Sequence, residues 1–176
     1  MLPAPTARLR FREMTESDVV PMAALLGDPA VMAYYPAPKT PEEAALWIAG
    51  NRTRYLRDGH GLWIIETLEG GFLGDCGLTW QSVNGERRLE VGYHVRADQQ
   101  GRGYATEAAA ACRDLARDRT LADQLVAIIH PENTASRRVA EKIGMTHVDD
   151  DVSGMPAEAF AELGITSRTV MGMPLA

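Results

Sequence analysis

Three stretches of the chain bring together residue types capable of chemistry. The first is Val95-Arg96-Ala97-Asp98-Gln99-Gln100-Gly101-Arg102-Gly103-Tyr104-Ala105-Thr106-Glu107, where two glycines separate a strand-like segment from a helix-like one. Glycine permits tight turning and close backbone approach, and a helix start offers unpaired N–H groups at the positive end of its dipole. Such a loop suits a phosphate or pyrophosphate; the alternative is a turn that holds nothing. It is not the dinucleotide fingerprint, because Thr106 stands where the third glycine belongs, and it lacks the GK[ST] of a triphosphate loop. In the second stretch, Leu89-Glu90-Val91-Gly92-Tyr93-His94-Val95, strand alternation puts Glu90, Gly92 and His94 on one face and Val91, Tyr93 and Val95 on the other. A carboxylate and an imidazole then share a surface, unless a bulge breaks the parity. In the third, Asn133 and Ser136 lie three apart at a helix start and share a face. Asn133 there either caps the helix or offers its amide to a ligand.

The elements that must hold these residues follow from patterning. Leu9–Met14 alternates as a strand, and Thr15-Glu16-Ser17-Asp18 opens a helix ending near Gly27. Thr40-Pro41-Glu42-Glu43 starts a second helix, running to about Asp58. Strands are predicted near Leu62–Thr67 and Phe72–Gln81, joined through Glu69-Gly70-Gly71, and again near Arg88–Val95. A helix from about Thr106 to Arg119 follows, then a strand at Leu125–Ile129 and a short helix at Thr134–Ile143 stopped by Gly144. Strands near Met145–Val152 and Thr166–Met173 close the pattern, with a Gly- and Ala-containing connection between them. Hairpins first and strand–helix–strand units later imply a mixed sheet with helices on its faces. No repeat or linker interrupts the 176 residues, so a single domain over 1–176 is expected.

Composition narrows the function. The chain carries 18 Lys+Arg against 24 Asp+Glu, a net charge of −6, which argues against non-specific nucleic-acid binding. Between Arg96 and Lys142, however, eight basic residues face seven acidic ones, a segment suited to a polyanionic small molecule or to ordinary solvated charge. No apolar run approaches a membrane span and the start lacks a signal-peptide core, so no membrane partner and a cytoplasmic location are expected. Cys76 and Cys112 form no disulfide framework, and His60, His94, His130 and His147 have no metal-binding spacing, so no metal is expected.

Gln100-x-x-Gly103-x-Ala105 matches the (Q/R)xxGx(G/A) motif of the GNAT N-acetyltransferase superfamily, and Gly101–Ala108 resembles its RimJ/RimL-like branch. Pro131–Met145 resembles that branch's NxxSxxVxEKxGF block, and Leu89-Glu90-Val91-Gly92-Tyr93 its EIGY strand. The likeness extends loosely from Arg8 to Met173. It implies an α/β (α+β) GNAT fold: a single mixed, twisted sheet of about seven strands with a central parallel, splayed pair, flanked by helices. It implies acetyl-CoA as cosubstrate, its pantetheine arm paired near Val95 and its pyrophosphate on the amides of Gly101, Arg102, Gly103, Tyr104, Ala105 and Thr106, with Gln100 in the same motif. Arg96, Arg102 and Arg138 are then candidate phosphate partners. A homodimer is common in the family.

Acyl transfer to an amine needs a neutral nucleophile, a polarised carbonyl and a proton for the departing thiolate. Beside the resemblance, Ser136 is the candidate thiolate proton donor, Asn133 a cofactor hydrogen-bonder, and Glu90 the candidate base acting through water; a salt-bridged carboxylate is the alternative for Glu90. Some superfamily members use a tyrosine as the acid, and none lies between 131 and 146. His94, Tyr34, Tyr35 and Trp80 are candidate acceptor-lining residues. The run Asp149-Asp150-Asp151, with Glu158 and Glu162, either borders the acceptor cleft or is solvated loop. An α-amine of pKa ~7.7–8.0 is about 10–15% neutral at pH 7, and a lysine well under 0.1%, a difference on the order of 3.4 kcal/mol. A site with one carboxylate and a histidine therefore leans to a peptide or protein N-terminus. The alternatives are a metabolite, polyamine or antibiotic as acceptor, or a module that binds CoA without turnover.

Overall fold

The computed structural model describes residues 1–176. Seven strands form one sheet: β1 (Leu9–Arg12), β2 (Leu62–Thr67), β3 (Phe72–Val83), β4 (Glu86–Val95), β5 (Gln124–Ile129), β6 (Thr146–Asp151) and β7 (Arg168–Pro174). Their spatial order is β1-β2-β3-β4-β5-β7-β6, with every neighbouring pair antiparallel except β4 and β5. Five helices complete the chain: α1 (Val19–Leu26), α2 (Pro41–Asp58), α3 (Tyr104–Asp118), α4 (Thr134–Lys142) and α5 (Ala157–Glu162). None is long and apolar enough to cross a membrane.

The local signals act as the sequence implies. At α2, Thr40 Oγ1 accepts from the Glu43 amide at 3.2 Å and the Glu43 carboxylate accepts from the Thr40 amide at 2.8 Å. This reciprocal cap, worth about 1 kcal/mol, fixes where the helix starts. Gly59 ends it with φ 77°. The ladder between β3 and β4 runs without a register shift from Gly74↔Val95 to Val83↔Glu86, so the alternation of side chains on β4 is unbroken.

That alternation divides the core. Leu89, Val91 and Val95 join Cys76, Leu78, Ala108, Ala109 and Cys112 in a cluster beneath α3. On the opposite face Leu62 and Ile64 pack with Met22, Leu26 and Ile48 of α1 and α2. The Cys76 and Cys112 sulfurs lie 3.7 Å apart as buried free thiols.

The parallel pair β4–β5 is registered only at Leu89↔Leu125 and Glu90↔Val126. Beyond Glu90 the two strands separate, and the sheet opens where its two faces meet. One element is absent from the sequence reading: the connection between β6 and β7 contains α5, whose Phe160 is buried. Six residues are too few to display a helical period, so the pattern shows only a loop.

Candidate active site

The opening between β4 and β5 is a cleft of about 610 Å³ that passes through the sheet. Its α3 side begins at the glycine loop. Gly101 and Gly103 adopt φ 75° and 84°, backbone that a β-carbon would strain. Glu107 N–H donates to Gly103 O at 3.0 Å as the first bond of α3, and the N–H groups of residues 101–106 meet no acceptor within the chain. Six consecutive free donors at the N-terminus of a fifteen-residue helix form a built anion cradle. Across from it on α4, Arg138 and Lys142 line the cleft, one helical turn apart and without a carboxylate partner. Arg8 holds the loop from behind. It donates to Arg102 O at 2.9 Å, lies 4.7 Å from the Tyr104 ring centre and pairs with Glu107 at 2.6 Å.

Deeper on the same side, Tyr93 reaches from β4 to the start of α4. Its hydroxyl donates to Ser136 O at 2.9 Å and lies 3.0 Å from Ser136 Oγ. Burial pushes the Tyr93 phenol well above its usual range, against the hydrogen bond from Ser136, so it holds its proton. Asn133 caps α4, its Oδ1 accepting from the Ser136 amide at 3.0 Å, which leaves its NH₂ group on the cleft wall.

The other face of the opening has a floor of cross-strand pairs: Asp75↔His94, Gly77↔Gly92 and Thr79↔Glu90. Gly77 is required by its neighbour, since a β-carbon there would lie 2.0 Å from Gly61 O. At Gly92 a β-carbon would make only ordinary contact, 3.6 Å from Leu62. Half-buried Glu90 accepts from Thr79 Oγ1 at 3.4 Å. Burial pushes its carboxyl up to about 7, while Arg168, the Ile128 amide, Thr79 and His94 pull in the opposite direction. Arg168 lines the cleft and is anchored by Asp151. His94 is buried against Asp75 at 2.7 Å; from the segment between α1 and α2, Tyr35 comes over it and Tyr34 packs against His130 at 5.0 Å between ring centres.

A glycine cradle at a helix start, a splayed parallel pair and a carboxyl poised near neutrality coincide with what comparison finds. Residues 8–146 match the acetyltransferase (GNAT) domain. The chain belongs to the GNAT acetyltransferase family. It is thus an acyltransferase, of a family that uses acetyl-CoA. The Bacillus subtilis protein YkkB, itself uncharacterized, is 39% identical over 142 residues, 80% of this chain and 83% of that one. An acetyltransferase from Agrobacterium tumefaciens superposes with a TM-score of 0.79 at 24% identity, over 98% of this chain and 94% of that chain. RimL, a ribosomal L7/L12 alpha-N-protein acetyltransferase solved with coenzyme A, does so with a TM-score of 0.77 at 16% identity, over 99% and 98%. At those identities the structural likeness speaks for the fold.

The acetyltransferase chain brings together most residues singled out from sequence. Glu90, His94, Tyr34, Tyr93, Val95, Gln100, Gly101, Gly103, Tyr104, Ala105, Thr106, Asn133 and Ser136 all line the one cleft. Gln100 donates to Val95 O at 3.0 Å, locking the loop to the strand end. Three expectations need correction. Trp80 does not line the acceptor side: β3 alternation gives Thr79 and Gln81 to the cleft and sends Trp80 to the α3 face, 4.2 Å from Arg87. The Arg102 side chain is exposed and does not line the cleft, which leaves its amide in the cradle. Arg96 is taken by Asp98 at 2.9 Å.

Sequence reasoning missed Asp75, Lys142, Arg8 and the contact of Tyr93 with Ser136. A lone carboxylate in the otherwise apolar run Phe72-Leu73-Gly74-Asp75-Cys76-Gly77-Leu78 was the one available signal for Asp75. Arg8 and Glu107 are 99 residues apart and left none.

Proposed function

We propose that this acetyltransferase moves an acetyl group from acetyl-CoA directly to a primary amine, and that the acceptor is the α-amine of a protein or peptide, as in the RimJ/RimL-like branch. The observation that carries the reading is Glu90, whose carboxyl is raised to about 7 in the opening of the sheet. A base with that pKa is half ionised at neutral pH and matches an α-amine far better than a lysine. Acetyl-CoA supplies an activated thioester. The free amides of 101–106 and the cations Arg138 and Lys142 bind its phosphates. Glu90, through water, takes the proton that the acceptor nitrogen must lose. Ser136 donates to the departing sulfur, and Tyr93, hydrogen-bonded to Ser136 Oγ, supports that donation. For Ser136 to direct its proton into the cleft, Tyr93 must turn its own proton from Ser136 O to Ser136 Oγ, a rotation of one hydroxyl.

One observation favours a second reading, a small acceptor bearing a carboxylate. Half-buried Arg54 of α2 lines the cleft and pairs with no acidic side chain. With Arg168 it disfavours a polyamine. Release of free CoA thiol is the test, measured against N-terminal peptides, free amino acids, polyamines and aminoglycosides. Turnover of a peptide, abolished by blocking its N-terminus, supports the leading reading. Turnover of amino acids alone supports the second, and turnover of polyamines alone overturns both.

A further inference from the structure

On the acceptor face, four side chains from four separate segments make one continuous hydrogen-bonded chain. Trp47 Nε1 of α2 donates to Asp75 Oδ2 at 3.0 Å. Asp75 Oδ1 lies 2.7 Å from His94 Nδ1, and His94 Nε2 lies 2.7 Å from the Tyr35 hydroxyl. Asp75 is 0% exposed and His94 6%, whereas Tyr35 is 41% exposed and lines the cleft. The chain therefore begins in the core and ends at the cavity where an acceptor sits.

To accept a proton the imidazole must be neutral, and its order then sets each hydrogen bond. A carboxylate only accepts, so Asp75 takes the Nδ1–H and the lone pair is left on Nε2. Tyr35 must then donate to Nε2, which leaves the lone pairs of its oxygen for the cleft. The ring of His94 has little freedom to leave this arrangement. Trp47 packs edge-on at 5.8 Å between ring centres and Tyr35 tilts against it at 5.3 Å. The charged and titratable groups around it are Asp75 opposite on β3, Glu90 on the same face of β4, Tyr35, and Lys39 lying 5.4 Å from the Trp47 ring centre. A proton arriving on Nε2 is thus met by two carboxylates, one of them in contact.

We propose that Tyr35, His94 and Asp75 form a second route by which the acceptor amine loses its proton, in parallel with Glu90. The proposal rests on the acetyl-transfer reading above. In the step, an N–H bond of the acceptor ammonium breaks as its proton moves to Tyr35 Oη. The Tyr35 O–H bond breaks as its own proton passes to His94 Nε2. A neutral amine, a neutral Tyr35 and an imidazolium facing Asp75 result, so the positive charge has moved from substrate to His94. The same path run outward, from Nε2 through Tyr35 to water, resets the site. Tyr35 touches the substrate, whereas His94 and Asp75 are positioning residues that act through it.

Parallel routes have a kinetic signature that a structural network lacks. Acceptor kcat/KM is measured as CoA release from about pH 6 to 9 for wild type, Tyr35→Phe, Glu90→Gln and the double variant. Rates through parallel routes add, so with Glu90 carrying most of the flux Glu90→Gln is expected to lose about tenfold, Tyr35→Phe alone little, and the double on the order of 10³-fold, far more than the product of the singles. Tyr35→Phe keeps the ring against His94, so an unchanged melting temperature and acetyl-CoA KM are expected. Asp75→Asn is expected to deepen the defect of Glu90→Gln but not that of Tyr35→Phe. A double variant no slower than Glu90→Gln overturns the relay, as does, in the Glu90→Gln background, an Asp75→Asn effect of equal size with and without the Tyr35 hydroxyl. A wild type that releases no CoA with any amine overturns the acetyl-transfer reading itself, an outcome distinct from an active Glu90→Gln enzyme indifferent to Tyr35.

Discussion

Toward α3 and α4, the opening in the sheet is lined by main chain and by cations that reach solvent: free amides at 101–106, then Arg138 and Lys142. Toward α1 and α2 it is lined by side chains withdrawn from solvent, with Asp75, His94 and Glu90 drawn from two strands and Tyr35 and Trp47 closing over them. The first side recognises an anion through backbone shape and needs no buried charge. The second holds ionisable groups where desolvation alters their chemistry. On the function proposed above, the difference separates an anion cradle, with Ser136 beside it, from a surface that takes the acceptor's proton, and the cradle and that surface should fail in different kinetic parameters.

The sharpest test of that division is Glu90→Gln. It is expected to lower acceptor kcat/KM by about tenfold and to remove most of the ascending limb centred near pH 7, with acetyl-CoA KM little changed. A shift in acetyl-CoA KM instead would blur the two sides into one. Next in size is Gly103→Val, which forces a β-branched residue into φ 84°. Acetyl-CoA KM is expected to rise by about tenfold or more while the pH profile stays in place, measured at saturating acceptor. Ser136→Ala is expected to lower kcat by about tenfold without loosening acetyl-CoA. Tyr93→Phe, which leaves Ser136 without its partner, should fall short of that loss. The Arg138→Ala and Lys142→Ala pair should raise acetyl-CoA KM several-fold, an effect that fades as salt rises, on the order of 1 kcal/mol for exposed charges.

Stability separates the sides as well. The folded-state pKa of Glu90 lies above its unfolded value, so its neutral form is the one the fold favours. Its contribution is fully present below about pH 4.5 and is lost as pH rises through about 7. Glu90→Gln removes that penalty and is expected to stabilise the protein by about 3 kcal/mol at pH 8, and by little at pH 4, in urea melts at the two pH values.

The cradle was legible in the sequence because its physics is local. Glycines that must turn, a strand before them and a helix after them lie within thirteen residues, from Val95 to Glu107. The parity of Glu90 and His94 was legible for the same reason, since alternation is a property of one strand and no bulge intervened. The partners were not. Asp75 meets His94 through the register of a neighbouring strand, and Tyr35 arrives from a segment 59 residues away. Trp80 shows the limit from the other direction: an aromatic beside the cleft-facing Thr79 turns away because its neighbours on β3 hold the opposite parity. Arg96 and Lys142 show it for charge. Pairing with Asp98 removes one cation from service, and a place on the cleft wall recruits the other.

Gly92 has a consequence for which acceptors fit. Between the Thr79–Glu90 pair and the Asp75–His94 pair, roughly 13 Å apart along the strand, neither β3 nor β4 places a side chain on the floor of the opening. That bare step works as a gauge for whatever is attached beside the reacting nitrogen. One methyl at position 92 fits the fold, at 3.6 Å from Leu62, yet it takes its volume from the acceptor's side of the floor. On the function proposed above, an atom the chain leaves out there sets the selectivity among amines, and a Gly92→Ala enzyme should keep its cosubstrate affinity while narrowing its acceptors to the slimmest.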